Sequence, residues 1–179
     1  MEKDYIFKSE RLGFRNWIDA DHLKMSAINS DEDVMKFFPK INSKKETQSF
    51  IKRMQDQFSK RGFCYFAVDK LTDGKFIGFI GLSKQTFKSE FTPFIDIGWR
   101  IDKMEWNNGF ATEGALRCLE FAKNNLKLDL IYAMAPVANT NSIKVMEKTG
   151  MEKVETFHHP LLLSYKELKE CVLYKIKLG

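Results

Sequence analysis

From Gly98 to Thr112 the sequence reads Gly-Trp-Arg-Ile-Asp-Lys-Met-Glu-Trp-Asn-Asn-Gly-Phe-Ala-Thr, a strand pattern passing through a glycine-containing loop into the start of a helix. The first turn of a helix offers unpaired N–H groups and the positive end of a dipole. Asn108-Gly109 lets backbone approach a ligand closely, and Ala111 keeps that approach open. Together these features suit a pyrophosphate group. A glycine before a helix also serves as a simple turn, so the segment alone leaves both readings open. Its spacing fits neither Gly-x-x-x-x-Gly-Lys-Ser/Thr nor Gly-x-Gly-x-x-Gly, which removes the two common nucleotide loops.

Other residues invite chemistry less strongly. His158-His159 has no Cys, His or carboxylate set at ligand spacing, and adjacent residues of a strand point to opposite faces, so a loop pair is expected. Ser30-Asp-Glu-Asp33 lacks the glycine and distal glutamate of a calcium loop and reads as an acidic helix start. No metal site is predicted. Lys144 and Lys148 lie four apart on a short helix, where they would either reach a phosphate or remain solvated.

The elements that must position these residues follow from periodicity and punctuation. Ser9 to Trp17 alternates as a strand, and Asp19-Ala20-Asp21 opens a helix. Ser43 and Glu46 form a capping box for a helix closed by Gly62. Phe63–Asp69 and Lys75–Ser83 read as strands joined at Thr72-Asp73-Gly74, followed by a strand over Phe94–Ile101. Gly78 and Gly81 inside the second of these mark bulges or a close approach of ligand. From Gly109 the period becomes helical to about Asn125, with Ala111, Ala115, Leu119 and Ala122 on one face and Leu116 and Phe121 beside them. Leu130–Ala135 is the next strand and Asn139–Thr149 a helix stopped by Gly150. Val154–Phe157 and Cys171–Ile176 close the chain, with a helical signal at Tyr165–Lys169 between them. The expected architecture is one mixed α/β (α+β) domain over 1–179, a sheet with helices on both faces.

Composition narrows the function classes. With 179 residues, 44% hydrophobic and 30% charged, the chain buries a core without staples. Its net charge of +5 is scattered rather than clustered, so nucleic acid is not indicated as a partner. Cys64, Cys118 and Cys171 are odd in number and sit in apolar surroundings, which fits buried reduced thiols. The first residues, Met1 to Tyr5, lack the apolar core of a secretory signal, and no apolar run approaches the ~18 residues of a membrane span. A cytoplasmic protein without membrane association is expected.

Five ordered blocks resemble the GNAT superfamily of N-acetyltransferases, in its RimJ/RimL-like branch. Trp106-Asn-Asn-Gly109-Phe-Ala111-Thr-Glu-Gly-Ala is similar to the coenzyme motif Gln/Arg-x-x-Gly-x-Gly/Ala, which that branch writes Trp-Gly-x-Gly-Tyr-Ala-Thr-Glu-Ala; Asn107 departs from the common glycine. Ser9-Glu-Arg-Leu-Gly-Phe-Arg resembles the opening Thr-Glu-Arg-Leu-x-Leu-Arg. Phe76-Ile-Gly-Phe-Ile-Gly resembles Ile-Gly-x-Ile-Gly, and Ile95-Asp-Ile-Gly-Trp resembles Glu-Ile-Gly-Tyr. Asn139-Thr-Asn-Ser142 through Lys148-Thr-Gly150 resembles Asn-x-x-Ser followed by Lys-x-Gly.

The resemblance implies a central mixed sheet splayed between two parallel strands, with acetyl-CoA as cosubstrate wedged at the splay. Backbone of Gly98, Trp99, Arg100 and Ile101 would meet the pantetheine arm, and Trp106, Asn107, Asn108, Gly109, Phe110, Ala111 and Thr112 the phosphates. Asn139 would contact the arm or simply cap its helix, and Lys144 would reach the adenosine phosphate. Phe37 and Phe38 fall where the family builds its acceptor site. Asp96 occupies the position where many relatives carry Glu and would act as a base on the attacking amine; the alternative is an ordinary strand carboxylate facing solvent. Where many members have Tyr to protonate the leaving thiolate, this chain has Met146, and Ser142 is the nearest hydroxyl. The implied activity is acetyl transfer to a primary amine, peptide or small molecule, by a monomer or homodimer; the alternative is a non-catalytic coenzyme A-binding sensor or assembly module.

Overall fold

The computed structural model describes residues 4–179; Met1 to Lys3, read above with the N-terminal segment, lie outside the described residues. In chain order the elements are β1 (Phe7–Lys8), β2 (Leu12–Arg15), α1 (Asp21–Asn29), α2 (Glu32–Met35), α3 (Lys44–Arg61), β3 (Tyr65–Lys70), β4 (Phe76–Gln85), β5 (Phe94–Ile101), α4 (Phe110–Asn124), β6 (Leu130–Pro136), α5 (Thr140–Lys148), β7 (Glu152–His158) and β8 (Glu170–Lys177). The eight strands form one sheet in the order β1-β2-β3-β4-β5-β6-β8-β7. Every pairing is antiparallel except β5 with β6, so the sheet is mixed and flanked by helices as expected.

Local sequence rules explain most boundaries. Ser43 and Glu46 complete the capping box of α3, and Gly62 ends it in the left-handed region at φ 74°. Gly150 stops α5 in the same way at φ 80°. The strand read over Ser9 to Trp17 is shortened to Leu12–Arg15: the Ser9 N–H donates to the Leu12 carbonyl, making a tight turn between β1 and β2. Tyr165–Lys169 is not a helix. The N–H groups of Leu168 and Lys169 both donate to the Tyr165 carbonyl, a single turn with exposed neighbours and no apolar face to dock. On α4, Phe121 joins the buried face but Leu116 is exposed.

The register assigns side chains to faces, because they alternate along a strand and antiparallel partners share a face. Asp96, Gly98 and Arg100 of β5 lie opposite Ser83, Gly81 and Phe79 of β4. Helices α1 and α3 cover this face, with Phe50 of α3 packed on Tyr65 and Phe79. The opposite face belongs to α4, where Gly114 lies so close that an added Cβ would come 2.3 Å from Ile80 Cδ1. Gly78 and Gly81 serve strand approach rather than ligand approach: an added Cβ would lie 2.1 Å from the Arg100 carbonyl oxygen or 2.2 Å from that of Cys64. The three cysteines are buried and free. No helix among the described residues is long and apolar enough to cross a membrane.

One buried charge group ties β2, α1 and β3 together. Arg15 Nε donates to Asp69 Oδ2 at 2.7 Å, and its Nη1 and Nη2 donate to Asp21 at 2.7 and 2.8 Å. Burial of this ion pair network is tolerable only because each charge meets its complement. Arg15→Met would leave the two carboxylates without the guanidinium and is expected to cost about 3–5 kcal/mol in urea unfolding. A loss below about 1 kcal/mol would show that the network contributes little.

Candidate functional site

The loop before α4 adopts the conformation a close-fitting ligand requires. Asn107 has φ 63° and Gly109 φ 79°, both left-handed. Asparagine is among the few side chains that occupy this region readily, so Asn107 preserves the backbone path that glycine gives elsewhere. Trp106 Nε1 donates to the Ile101 carbonyl at 2.9 Å, and Asn108 Nδ2 to the Glu105 carbonyl at 3.2 Å, closing the loop on itself. The cap residue of α4 is Gly109, which has no side chain to cap with. The first helical bond runs from the Glu113 N–H to the Gly109 carbonyl at 3.0 Å, so the N–H groups of Phe110, Ala111 and Thr112 precede the ladder. These are donors suited to an anion.

The start of α4 is held by the chain's first strands. Glu113 accepts from Ser9 Oγ at 2.6 Å, from the Arg11 N–H at 2.9 Å and from Arg11 Nε at 2.7 Å. Arg11 also stacks on Phe110 with its Cζ 4.6 Å from the ring centroid. The donors hold the Glu113 carboxyl below its ordinary range against the opposing effect of burial. Sequence reading saw Ser9-Glu-Arg and Ala-Thr-Glu as separate blocks; the structure joins them in one clamp.

Beyond this helix start the sheet opens. Strands β5 and β6 share one register pair, Asp96 with Tyr132. From Ile97 to Ile101 β5 is paired to β4 on one side only. A cavity of about 510 Å³ lies at this opening, within the range of small-molecule sites. It is lined by Phe37 and Phe38 after α2, by Trp99, Arg100 and Ile101 at the end of β5, and by Trp106, Asn107, Gly109, Phe110, Ala111 and Thr112. Asn139, Ser142 and Lys144 close it from α5. Of the expected site residues, Gly98, Asn108 and Asp96 fall outside this lining. Asn139 caps α5, its Oδ1 accepting from the Ser142 N–H at 3.2 Å, and lines the cavity as well. Met146 is buried at 1% exposure and does not reach the cavity.

The reading of Asp96 as a carboxylate facing solvent is overturned. Its side chain is 4% exposed and accepts from Tyr65 Oη at 2.8 and 2.9 Å and from Gln85 Nε2 at 3.0 Å. Burial pushes its pKa up to about 7, against the lowering effect of the Gln85 and Tyr65 donors. Gly98 makes this arrangement possible, since an added Cβ would lie 3.1 Å from the Tyr65 ring. Arg100 is the residue whose side chain sequence reading missed, having counted only its backbone. Its period-two spacing from Asp96 and Gly98 on one strand face was the available signal. The two histidines part company: His158 ends β7 exposed, whereas His159 is buried against Phe87 and accepts from the Leu161 N–H through Nδ1.

Comparison with known proteins agrees with this geometry. The Bacillus subtilis protein YkkB is 28% identical over 152 residues, covering 83% of this chain and 86% of its own length. The crystal structure of a GNAT-family acetyltransferase from Bacillus anthracis superposes with a TM-score of 0.78 at 26% identity, covering 96% of this chain and 97% of the other. The ribosomal L7/L12 alpha-N-protein acetyltransferase RimL, in complex with coenzyme A, shares the fold with a TM-score of 0.77 at 13% identity over 97% and 98% of the two chains. Residues 11–152, which hold Arg11 and Glu113 of the clamp, the α4 start and the parted strands, match the acetyltransferase (GNAT) domain, and the chain belongs to that family.

Proposed function

We propose that this acetyltransferase moves the acetyl group of acetyl-CoA to a primary amine, in a ternary complex and by direct attack, and that it lies near the RimJ/RimL-like branch. The observation that carries the reading is the convergence of a half-paired strand edge on an uncapped helix start. Amides of pantetheine find their partners on the open edge of β5, and the first-turn N–H groups of α4 take the pyrophosphate. Lys144 adds charge for the adenosine phosphate, and Phe37 and Phe38 offer the acceptor an apolar wall. Three buried thiols suit a reducing cytoplasm. Release of free thiol on incubation with acetyl-CoA and a broad amine panel tests the reading. Coenzyme binding without turnover on any amine would favour a sensor or assembly module instead.

In the reaction a C–N bond forms, the C–S bond breaks, the amine loses a proton and the thiolate gains one. An alkylamine of pKa near ~10 is protonated at neutral pH, so a proton sink accelerates attack. Asp96, set behind the cavity lining, acts through water in this scheme. Ser142 Oγ, which makes no hydrogen bond among the described residues, donates to the departing sulfur.

Three outcomes follow from these assignments. Gly109→Val or Ala111→Glu should weaken acetyl-CoA binding at least about 10-fold by calorimetry, because each puts bulk or charge at the phosphate approach; unchanged affinity in a folded variant would move the cradle elsewhere. Asp96 bears on both rate and stability. Its folded pKa of about 7 exceeds the unfolded value near ~3.9. The folded state therefore holds the proton more tightly, and its contribution makes stability fall as pH rises from about 4 to about 7. Asp96→Asn should remove that fall and also flatten the rise in kcat through pH ~7. A normal rate and pH profile in the variant would exclude the proton-sink role. Finally, Ser142→Ala should lower kcat at least ~10-fold while acetyl-CoA affinity stays within about 3-fold, as for a contact made in the transition state. Equal losses in affinity with normal kcat would assign Ser142 to binding.

A further inference from the structure

Arg100 is a cation held in the cavity wall without a carboxylate. Its Nη1 donates to Asn29 Oδ1 at 2.6 Å, and Asn29 is itself anchored by donating from Nδ2 to Thr47 Oγ1 at 2.9 Å. Its Nε is buried with no hydrogen-bond partner, and its Nη2 makes no hydrogen bond among the described residues. The guanidinium lies over two aromatic rings, with Cζ 4.0 Å from the ring centroid of Phe38 and 5.5 Å from that of Phe79. With Nη1 bonded and Nε buried, Nη2 is the nitrogen left for a ligand, since it is neither bonded nor buried.

Arg15 of the same chain shows how a guanidinium is satisfied by a carboxylate. Its Nε and Nη2 grip the two oxygens of Asp69 at 2.7 and 3.1 Å. A half-buried guanidinium with no such partner is costly, and burial lowers the Arg100 pKa to about 10. The acidic residues that line the cavity are engaged elsewhere: Glu105 pairs with Lys70 and Lys75, and Asp33 with Lys103. No carboxylate among the described residues pairs with Arg100, whose partners are Asn29 Oδ1 and the two rings.

An unpaired guanidinium calls for an anionic oxygen, which either substrate can supply, as a coenzyme phosphate or as an acceptor carboxylate. Position separates them. Arg100 projects on the α1 and α3 side of the sheet, against Asn29, Phe38 and Phe79. The helix α4, whose start takes the phosphates in the proposed function, packs on the opposite face. Resting on that function, we infer that Arg100, positioned by Asn29 and Phe38, binds a carboxylate of the acceptor, so that the substrate class is amines that also carry a carboxylate.

The test uses acceptors matched in chain length, glycine with glycinamide, β-alanine with β-alaninamide and 4-aminobutanoate with 4-aminobutanamide, with rates expressed per neutral amine because the amide also lowers the amine pKa. For at least one chain length the carboxylate should be preferred by ~10-fold or more in kcat/KM per neutral amine, and the preferred length reports the distance from the reacting amine to the guanidinium. Arg100→Gln and Arg100→Lys should each reduce that preference to within about 2-fold, mainly through KM, with acetyl-CoA affinity unchanged. Retained coenzyme affinity also shows that the variants are folded. Calorimetric binding of the same pairs provides a readout without turnover. Arg100-dependent carboxylate binding in an inactive protein would sink the transferase reading and leave this inference standing. Equal use and equal binding of acid and amide, or a loss confined to acetyl-CoA affinity, would overturn it.

Discussion

The architecture of the site depends on a pairing that stops. Strands β5 and β6 are parallel neighbours joined at Asp96 and Tyr132, and beyond that pair β5 is bonded only to β4. A buried backbone edge must find partners, so a strand end left half-paired beside a cavity is a place built for a ligand with amides of its own. The connections then bring two helix starts to the same opening, α4 after β5 and α5 after β6. The Glu113 clamp ties the first of these to the turn between β1 and β2, although Ser9 and Glu113 are 104 residues apart.

Three charges on the α1 and α3 side of the sheet are treated differently. Arg15 is neutralised by two carboxylates and is structural. Asp96 is buried, and burial outweighs the lowering effect of its neutral donors Gln85 and Tyr65, so its pKa rises to about 7. Arg100 has an amide oxygen and two aromatic rings. The incompletely compensated pair lies on the strand whose end opens the cavity, where perturbed charges are most often put to use.

Much of this was legible in the sequence where the signal was local. The capping box at Ser43, the stops at Gly62 and Gly150, and the change to helical period after Gly109 each depend on residues within one or two turns of each other. In the loop that precedes α4 the sequence showed only that Asn107 departs from the common glycine, and the structure gives it the positive φ that asparagine also accepts. Partners brought together by topology were hidden: Tyr65 reaches Asp96 across 31 residues, and Asn29 reaches Arg100 across 71. Local propensity also misled at Tyr165–Lys169, where one turn forms but has nothing to pack against.

The central claim is that the open edge of β5 and the first turn of α4 together hold acetyl-CoA. Amide hydrogen exchange with and without acetyl-CoA tests it most directly, because the donors involved are backbone N–H groups. The account predicts that protection on binding concentrates in segments spanning residues 97–101 and 109–113, with β7 and β8 little changed. Protection of another region, with exchange in these two segments unaltered at saturating coenzyme, would contradict it.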